Sequence, residues 1–216
     1  RYFDSVTGRK SAIVIPHLEN PRFVDKKFQA LHKVGIVASA NRINLSLVRE
    51  CLQAIDLRLA GREAPFTVHV AGQVKDMVPS LPSAETAVFE KPWVRLCGFV
   101  PDIGDFYADM DLIVAPVTMG TGINVKTVQA MAYGMPLLST GFGVKGIETD
   151  DLRHQYANLD DLAAGLMEIC SLPQELDRLA AVSRRRYLQF VEQGGAAFDG
   201  LCRHPKLVNV PESPSM

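Results

Sequence analysis

Two glycines followed by three polar side chains form the segment of this chain best suited to bind an anion. Gly120 and Gly122 follow a short apolar run, and Asn124, Lys126 and Gln129 come after them. Glycine lets a backbone approach a ligand, and a helix that begins here would present free N–H groups and its positive dipole end. Lys126 would reach the anion from the first turn, with Gln129 one turn further on the same face. The pattern suits a diphosphate with its sugar and nucleoside.

The same residues also admit a purely structural interpretation. In that case the glycines only shape a tight turn, and the ammonium group of Lys126 is solvated. Two named phosphate-binding motifs are absent, since a dinucleotide fingerprint would need glycine where Val125 stands and a P-loop would need Gly-Lys-Ser/Thr. The spacing of this segment therefore leaves the binding and the structural interpretations open.

The flanking sequence predicts an alternation of strands and helices. Short apolar runs without polar alternation are typical of strands buried on both faces of a parallel sheet. Such crossovers are right-handed and place helices on both faces, so the predicted fold class is α/β. The glycine segment then lies at the carboxyl edge of the sheet, where open α/β sheets bind ligands. We place the strands near residues 34–38, 66–71, 94–97, 112–116 and 136–139.

Capping residues and apolar periodicity predict the helices. Asn44 is the predicted N-cap of a first helix that Gly61 ends, and Asp102 caps a short helix over 103–110. Another helix follows the glycine segment and ends at Gly134. Residues 73–92, which include three prolines, are predicted to be a loop with one short helix. The remaining predicted helices are at 124–133, 159–169 and 174–191.

The domain limits are predicted from the same signals. They are a linker or partial strand at 1–30, a ligand-binding domain at 31–200 and an irregular tail at 201–216.

Composition excludes several functional classes. The 216 residues carry 23 Lys+Arg against 24 Asp+Glu, so the net charge of −1 argues against a nucleic-acid binder. Apolar runs stay well short of the roughly 20 residues that span a bilayer. Four cysteines and five histidines are scattered without ligand spacing, which predicts no metal site and reduced thiols in a cytoplasmic protein. The chain opens without Met, and we expect it to be a fragment of a longer protein.

The longer run Gly-Thr-Gly-Ile-Asn-Val-Lys-Thr-Val-Gln-Ala-Met-Ala-Tyr-Gly-Met-Pro resembles a known family. It is similar to the pattern G-T-G-x-x-x-K-x-x-E-A-M-A-x-G-x-P of GT-B glycosyltransferases, group 1, of the family 4-like type. The resemblance covers roughly residues 33–190 and implies the C-terminal, donor-binding half of a GT-B fold with a Rossmann-like sheet and C-terminal helices. It implies that donor binding involves Gly120, Thr121, Gly122, Ile123, Asn124, Lys126 and Gln129, with Arg42 as a looser match near the diphosphate.

The resemblance also implies the reaction. Such enzymes move a sugar from a nucleoside-diphosphate sugar to an acceptor, here a glycan or lipid-linked saccharide in polysaccharide biosynthesis. They need no metal ion and no cofactor beyond that substrate. An N-terminal acceptor-binding domain, absent from these residues, completes the enzyme, which in full length is cytoplasmic or peripheral to the membrane. No catalytic residue is assigned.

The chain departs from the family pattern at two positions. Many members carry two glutamates eight residues apart, which contact the transferred sugar and the donor ribose; here Thr121 and Gln129 stand at those positions. An amide can still form hydrogen bonds but carries no charge. Two alternatives therefore remain open: a degenerate GT-B module that binds or assembles without catalysis, and another GT-B enzyme such as a nucleotide-sugar epimerase.

Overall fold

The computed structural model describes residues 20–120 and 122–202. Thr121, the linker predicted before residue 20 and the predicted tail beyond residue 202 lie outside these ranges. One compact unit spans Glu19–Tyr187 and contains every strand named below. Of a second unit, the described part is residues 188–202, the distal portion of the last helix.

Five parallel strands form the sheet of the compact unit, and this confirms the predicted α/β fold. Their order across the sheet is β3-β2-β1-β4-β5, and every pairing is parallel. Each strand lies within two residues of its predicted position, because continuous apolar runs leave little choice of register. The strands are β1 (Lys33–Val37), β2 (Thr67–Ala71), β3 (Val94–Gly98), β4 (Leu112–Ala115) and β5 (Leu137–Ser139).

Helices connect the strands and follow the last of them. The cap at Asp102 is as predicted, since its side chain accepts a hydrogen bond from the backbone N–H of Gly104 at 2.7 Å. The last helix continues well beyond its predicted end. The helices are α1 (Arg42–Leu59), α2 (Ser83–Thr86), α3 (Ile103–Asp109), α4 (Val125–Ala132), α5 (Leu159–Cys170) and α6 (Gln174–Cys202).

Two predictions about helices were wrong. The N-cap of α1 is Asn41 and not Asn44, because the extended backbone of Asn41 lets its side chain accept from the N–H of Asn44 at 2.7 Å. Arg42 is consequently the first residue of α1. The stretch predicted as a loop with one short helix instead contains α2 flanked by 3-10 segments at Gln73–Ser80 and Ala87–Glu90. Prolines interrupt longer helices there but permit single turns.

The sheet changes direction at β1, which positions the site. From β1 the chain proceeds to β2 and β3 on one side, then crosses to β4 and β5 on the other. Gly35 allows β1 and the residues around β4 to pack closely, since a Cβ there would lie 2.7 Å from Ile113 Cδ1 and 2.8 Å from Met110 Cγ. The carboxyl ends of β1 and β4 diverge at this switch point, the place where open α/β sheets bind ligands.

The amino edge of the sheet is held by Asp111, which immediately precedes β4. Its carboxylate accepts hydrogen bonds from the backbone N–H groups of His32 and Lys33, each at 2.9 Å, and from Lys26 Nζ at 2.8 Å. The segment before β1 is thereby attached to the start of β4. Burial alone would raise the pKa of Asp111, but the hydrogen bonds from Lys26, His32 and Lys33 outweigh it and lower that pKa.

Candidate functional site

A pocket lies at the carboxyl ends of β1 and β4. It is a small cavity of about 30 Å³ that opens to solvent, and its walls are mostly apolar side chains of the two strands and α1. The polar side chains that line it are Asn44, Tyr107, Asn124 and Lys126. A largely apolar cleft with a few convergent polar groups is typical of a small-molecule site.

The glycine segment brings the chain from β4 to α4. Gly120 and Gly122 have φ values of 144° and 82°, so both adopt backbone conformations that favour glycine. Both are exposed. Ile123 is half-buried, and the Gly146 backbone approaches it so closely that a Cβ there would lie 2.9 Å from Ile123 Cγ1. The segment thus reaches the loop that follows β5.

Asn124 caps α4 in a way that alters the expected anion site. Its Oδ1 accepts from the backbone N–H groups of Lys126 and Thr127, each at 3.1 Å. The prediction that this helix start offers those N–H groups to a ligand was therefore wrong, because an amide oxygen already satisfies them. What α4 still offers is its dipole, its remaining first-turn N–H and the side chains that face the pocket.

Lys126 is half-buried at the pocket wall. Burial lowers the pKa of its ammonium group, since desolvation disfavours the charged form. Within residues 20–120 and 122–202, Nζ forms no recorded hydrogen bond or ion pair. A lysine that loses hydration without gaining a partner has the electrostatics expected of a group that meets an anionic ligand.

Gln129 lies one turn beyond Lys126 and is half-buried. Its Oε1 accepts a hydrogen bond from the hydroxyl of Tyr107 at 3.3 Å. Tyr107 is fully buried and stacks on Tyr133, with ring centroids 4.7 Å apart and an interplanar angle of 26°. The sequence analysis missed Tyr107, because one tyrosine in a short apolar helix carries no pattern that distinguishes a site residue from a core residue.

The structure places only two of the predicted donor-binding residues in the pocket wall, Asn124 and Lys126. Gln129 does not line the pocket but accepts a hydrogen bond from Tyr107, which does. Outside the lining lie Gly120, Gly122 and Ile123 as well. Arg42 is exposed at the first position of α1 and does not line the pocket. Asn44, which was considered only as a helix cap, does line it, and its Nδ2 donates to the carbonyl and hydroxyl oxygens of Ser39.

The described part of the chain contains neither a metal-binding cluster nor a membrane-spanning helix. Among those residues, no group of three or more His, Cys, Asp or Glu side chains is arranged to hold a metal ion. None of the helices described there combines the length and apolarity that crossing a membrane requires.

A parallel sheet of order 3-2-1-4-5 with a pocket at its switch point defines a Rossmann-like α/β domain. The family model "Glycosyl transferases group 1" matches residues 32–171. This chain therefore belongs to the group 1 glycosyl transferases. The curated proteins include no significant match to it.

Solved structures of GT-B glycosyltransferases share the fold. TarM from S. aureus, in complex with UDP among other ligands, is 18% identical with a TM-score of 0.64, over 94% of this chain and 42% of TarM. HepE from Anabaena, in complex with UDP and glucose, is 19% identical with a TM-score of 0.59, over 81% of this chain and 49% of HepE. This chain thus spans less than half of each protein.

An isolated domain gives a match of nearly full length. The C-terminal domain of the group 1 protein LpcC from Francisella tularensis is 20% identical, with a TM-score of 0.53. The alignment covers 83% of this chain and 95% of that domain. The fold of this chain therefore corresponds to one domain of the larger enzymes.

Proposed function

We propose that this chain is the donor-binding half of a glycosyltransferase that moves a sugar from a nucleoside-diphosphate sugar to a glycan or lipid-linked acceptor. The observation that carries the proposal is Lys126, a half-buried ammonium group at the switch-point pocket for which the described residues supply no counter-ion. In this proposal, the diphosphate binds between Lys126 and the amino end of α4. The nucleoside extends along α4 toward Gln129.

The chemistry of transfer agrees with this arrangement. As the bond from the sugar to the diphosphate breaks, negative charge grows on the leaving diphosphate. The ammonium group of Lys126 and the dipole of α4 stabilise that charge without a metal ion. Because the lysine already lacks full hydration, it gains more from the anion than an exposed lysine would.

The acceptor site belongs to a part of the enzyme outside this chain. The 216 residues align with 42% of TarM and 49% of HepE, and the other half of such a protein would bind the acceptor. We place that half before the donor-binding half in the sequence of the intact protein. Transfer to an acceptor then requires both halves, whereas nucleotide binding requires only this one.

A second candidate is a module that binds nucleotide without catalysis. Gln129 favours this candidate, because many family members have a glutamate at this position. In this chain the amide oxygen of Gln129 accepts a hydrogen bond from Tyr107. The two candidates differ in their treatment of the sugar. A donor-binding half should bind a nucleotide sugar at least as well as the free diphosphate, whereas a module for nucleotides alone should lose affinity when the sugar is attached.

Isothermal titration calorimetry tests both candidates with UDP, GDP and ADP and their glucose derivatives. We expect one nucleoside diphosphate to bind, and Lys126→Ala to weaken it by about 1.5–3 kcal/mol, the contribution of a hydrogen bond to a charged group. The matched control is Lys27→Ala, because Lys27 is an exposed lysine in the segment before β1. Absence of binding to all six ligands, or equal affinity of the Lys126 variant and the parent, would refute the proposed site.

A further inference from the structure

The side-chain amides of Asn124, the N-cap of α4, and of Gln129, within α4, direct their oxygen atoms to protein donors. Asn124 Oδ1 accepts from two backbone N–H groups of α4, and Gln129 Oε1 accepts from the hydroxyl of Tyr107. A side-chain amide whose oxygen is held by a protein donor directs its NH₂ group away from that donor, where it can meet a ligand. For neither amide nitrogen does the described part of the chain record a hydrogen-bond partner.

We infer that Tyr107 is a positioning residue that orients the Gln129 amide so that its nitrogen faces the nucleotide. The inference rests on the proposed function, since it states which partner donates the hydrogen bond at the ribose end of the same site. The Asn124 amide nitrogen, the Lys126 ammonium group and the Gln129 amide nitrogen then form a row of hydrogen-bond donors that extends from the N-cap along α4. The ribose hydroxyl that meets Gln129 accepts a hydrogen bond instead of donating one.

Tyr107 is well placed to hold this orientation. Its ring is fully buried, stacked on Tyr133, and contacts the Phe106 ring edge-on with centroids 6.1 Å apart. The hydroxyl therefore has little freedom of position. A group held by packing preorganises the side chain it bonds to and reduces the entropy lost on binding.

The direction of this hydrogen bond is the reverse of the one that a glutamate at position 129 would form. A carboxylate only accepts hydrogen bonds, so a ribose hydroxyl facing it must donate. A hydroxyl can do either, so ordinary nucleotides do not distinguish the two cases. A fluorine in place of the hydroxyl does distinguish them, because fluorine cannot donate, attracts an N–H weakly and repels a carboxylate.

The probes are based on the nucleoside diphosphate that binds the parent chain. They are this nucleotide and its analogues in which the 2′- or the 3′-hydroxyl is replaced by hydrogen (deoxy) or by fluorine (fluoro). For the hydroxyl that faces Gln129, we expect the parent to bind the fluoro analogue more tightly than the deoxy analogue. Gln129→Glu should reverse that order. Tyr107→Phe frees the amide to turn and should reduce the preference for hydroxyl over deoxy by about three- to tenfold, the range of a neutral hydrogen bond.

Tyr133→Phe is the matched control. It removes a hydroxyl from the same stacked pair, but that hydroxyl accepts from Arg22 Nη1 at 3.4 Å, a contact that does not involve Gln129. We expect the hydroxyl preference of this variant to equal that of the parent. If the parent binds a nucleotide and Tyr107→Phe leaves both its hydroxyl preference and its fluoro order unchanged, the orienting role is excluded while the proposed function stands. If no nucleotide binds the parent, both are excluded.

Discussion

The two ends of β4 differ in whether a charge that has lost hydration finds a partner in the protein. At the amino end, the Asp111 carboxylate has three protein donors, one of them the ammonium group of Lys26. Beyond the carboxyl end, Lys126 has lost hydration, and the described residues give its ammonium group no partner. The charge at the amino end is therefore paired within the protein, whereas the charge beyond the carboxyl end has no partner among the described residues.

The directions of the pKa shifts express this difference in terms of stability. The pKa of Asp111 is lowered, so folding favours its charged form and the carboxylate stabilises the fold above pH 4. The pKa of Lys126 is also lowered, but for a base this means that folding disfavours the charged form. Charge at the amino edge therefore supports the fold, whereas charge at the pocket opposes it, a cost that the proposed ligand would offset.

The largest expected effect is on stability at the amino edge. Asp111→Ala should lower the free energy of unfolding by about 3–5 kcal/mol, because it removes the acceptor of two part-buried backbone N–H groups and leaves the Lys26 ammonium group with carbonyl oxygens but no counter-ion. Urea denaturation followed by circular dichroism measures this. The control is Asp109→Ala, since Asp109 is exposed and its ion pair with Lys33 at 2.6 Å is exposed as well; we expect a loss of less than about 1 kcal/mol there. Equal losses would show that Asp111 is no special anchor.

His154 shows whether a buried titratable group without a hydrogen-bond partner must imply a ligand. His154 is fully buried; its Nδ1 lies 2.9 Å from Thr149 Oγ1, and its Nε2 has no partner among the described residues. Burial lowers the pKa of His154 to about 4, with the nearby Asp151 carboxylate opposing that shift. This histidine avoids an uncompensated charge by staying neutral, an option that Lys126 lacks unless its pKa falls much further.

The consequence is a loss of stability in mild acid. Between pH 6.5 and pH 4 the unfolded chain binds a proton at this position and the folded chain does not, so the free energy of unfolding should fall by about 3 kcal/mol. His154→Gln removes this dependence, and the difference between parent and variant isolates it from other groups. His69→Gln, at a half-exposed histidine, is the comparison. Parallel pH profiles for parent and His154→Gln would contradict the assignment.

The smallest expected stability effect concerns the two lysines themselves. Lys26→Met should cost about 1–3 kcal/mol, because it removes the partner of the Asp111 carboxylate. Lys126→Met should leave the free energy of unfolding within about 0.5 kcal/mol or raise it slightly, since it removes a charge that burial disfavours. Thermal and urea unfolding of the two variants side by side measures the contrast. A marked loss of stability in Lys126→Met would mean that this lysine supports the fold instead of the ligand.

Local signals explain why much of the fold and part of the site could be predicted. The strand β4, the glycine segment, the helix start near Asn124 and the end of α4 at Gly134 follow one another within 23 residues. Each depends on backbone preferences and apolar runs that act over a few positions. Local rules failed where two residues competed for one role. Asn41 and Asn44 are both good caps, and the extended φ of −155° at Asn41 decided between them.

The sequence by itself determined the strands, the parallel α/β class, the family and the position of Lys126 in the first turn of α4. Only the tertiary structure decided what surrounds those residues. Tyr107 and Gln129 are 22 positions apart, and their hydrogen bond exists because α3 meets the end of α4, where the Tyr107 ring stacks on Tyr133. Asp111 and Lys26 meet across an interval of 85 residues. A charge acquires or lacks a partner through such distant contacts, because electrostatic interactions depend on separation in space and on burial, neither of which is local in sequence.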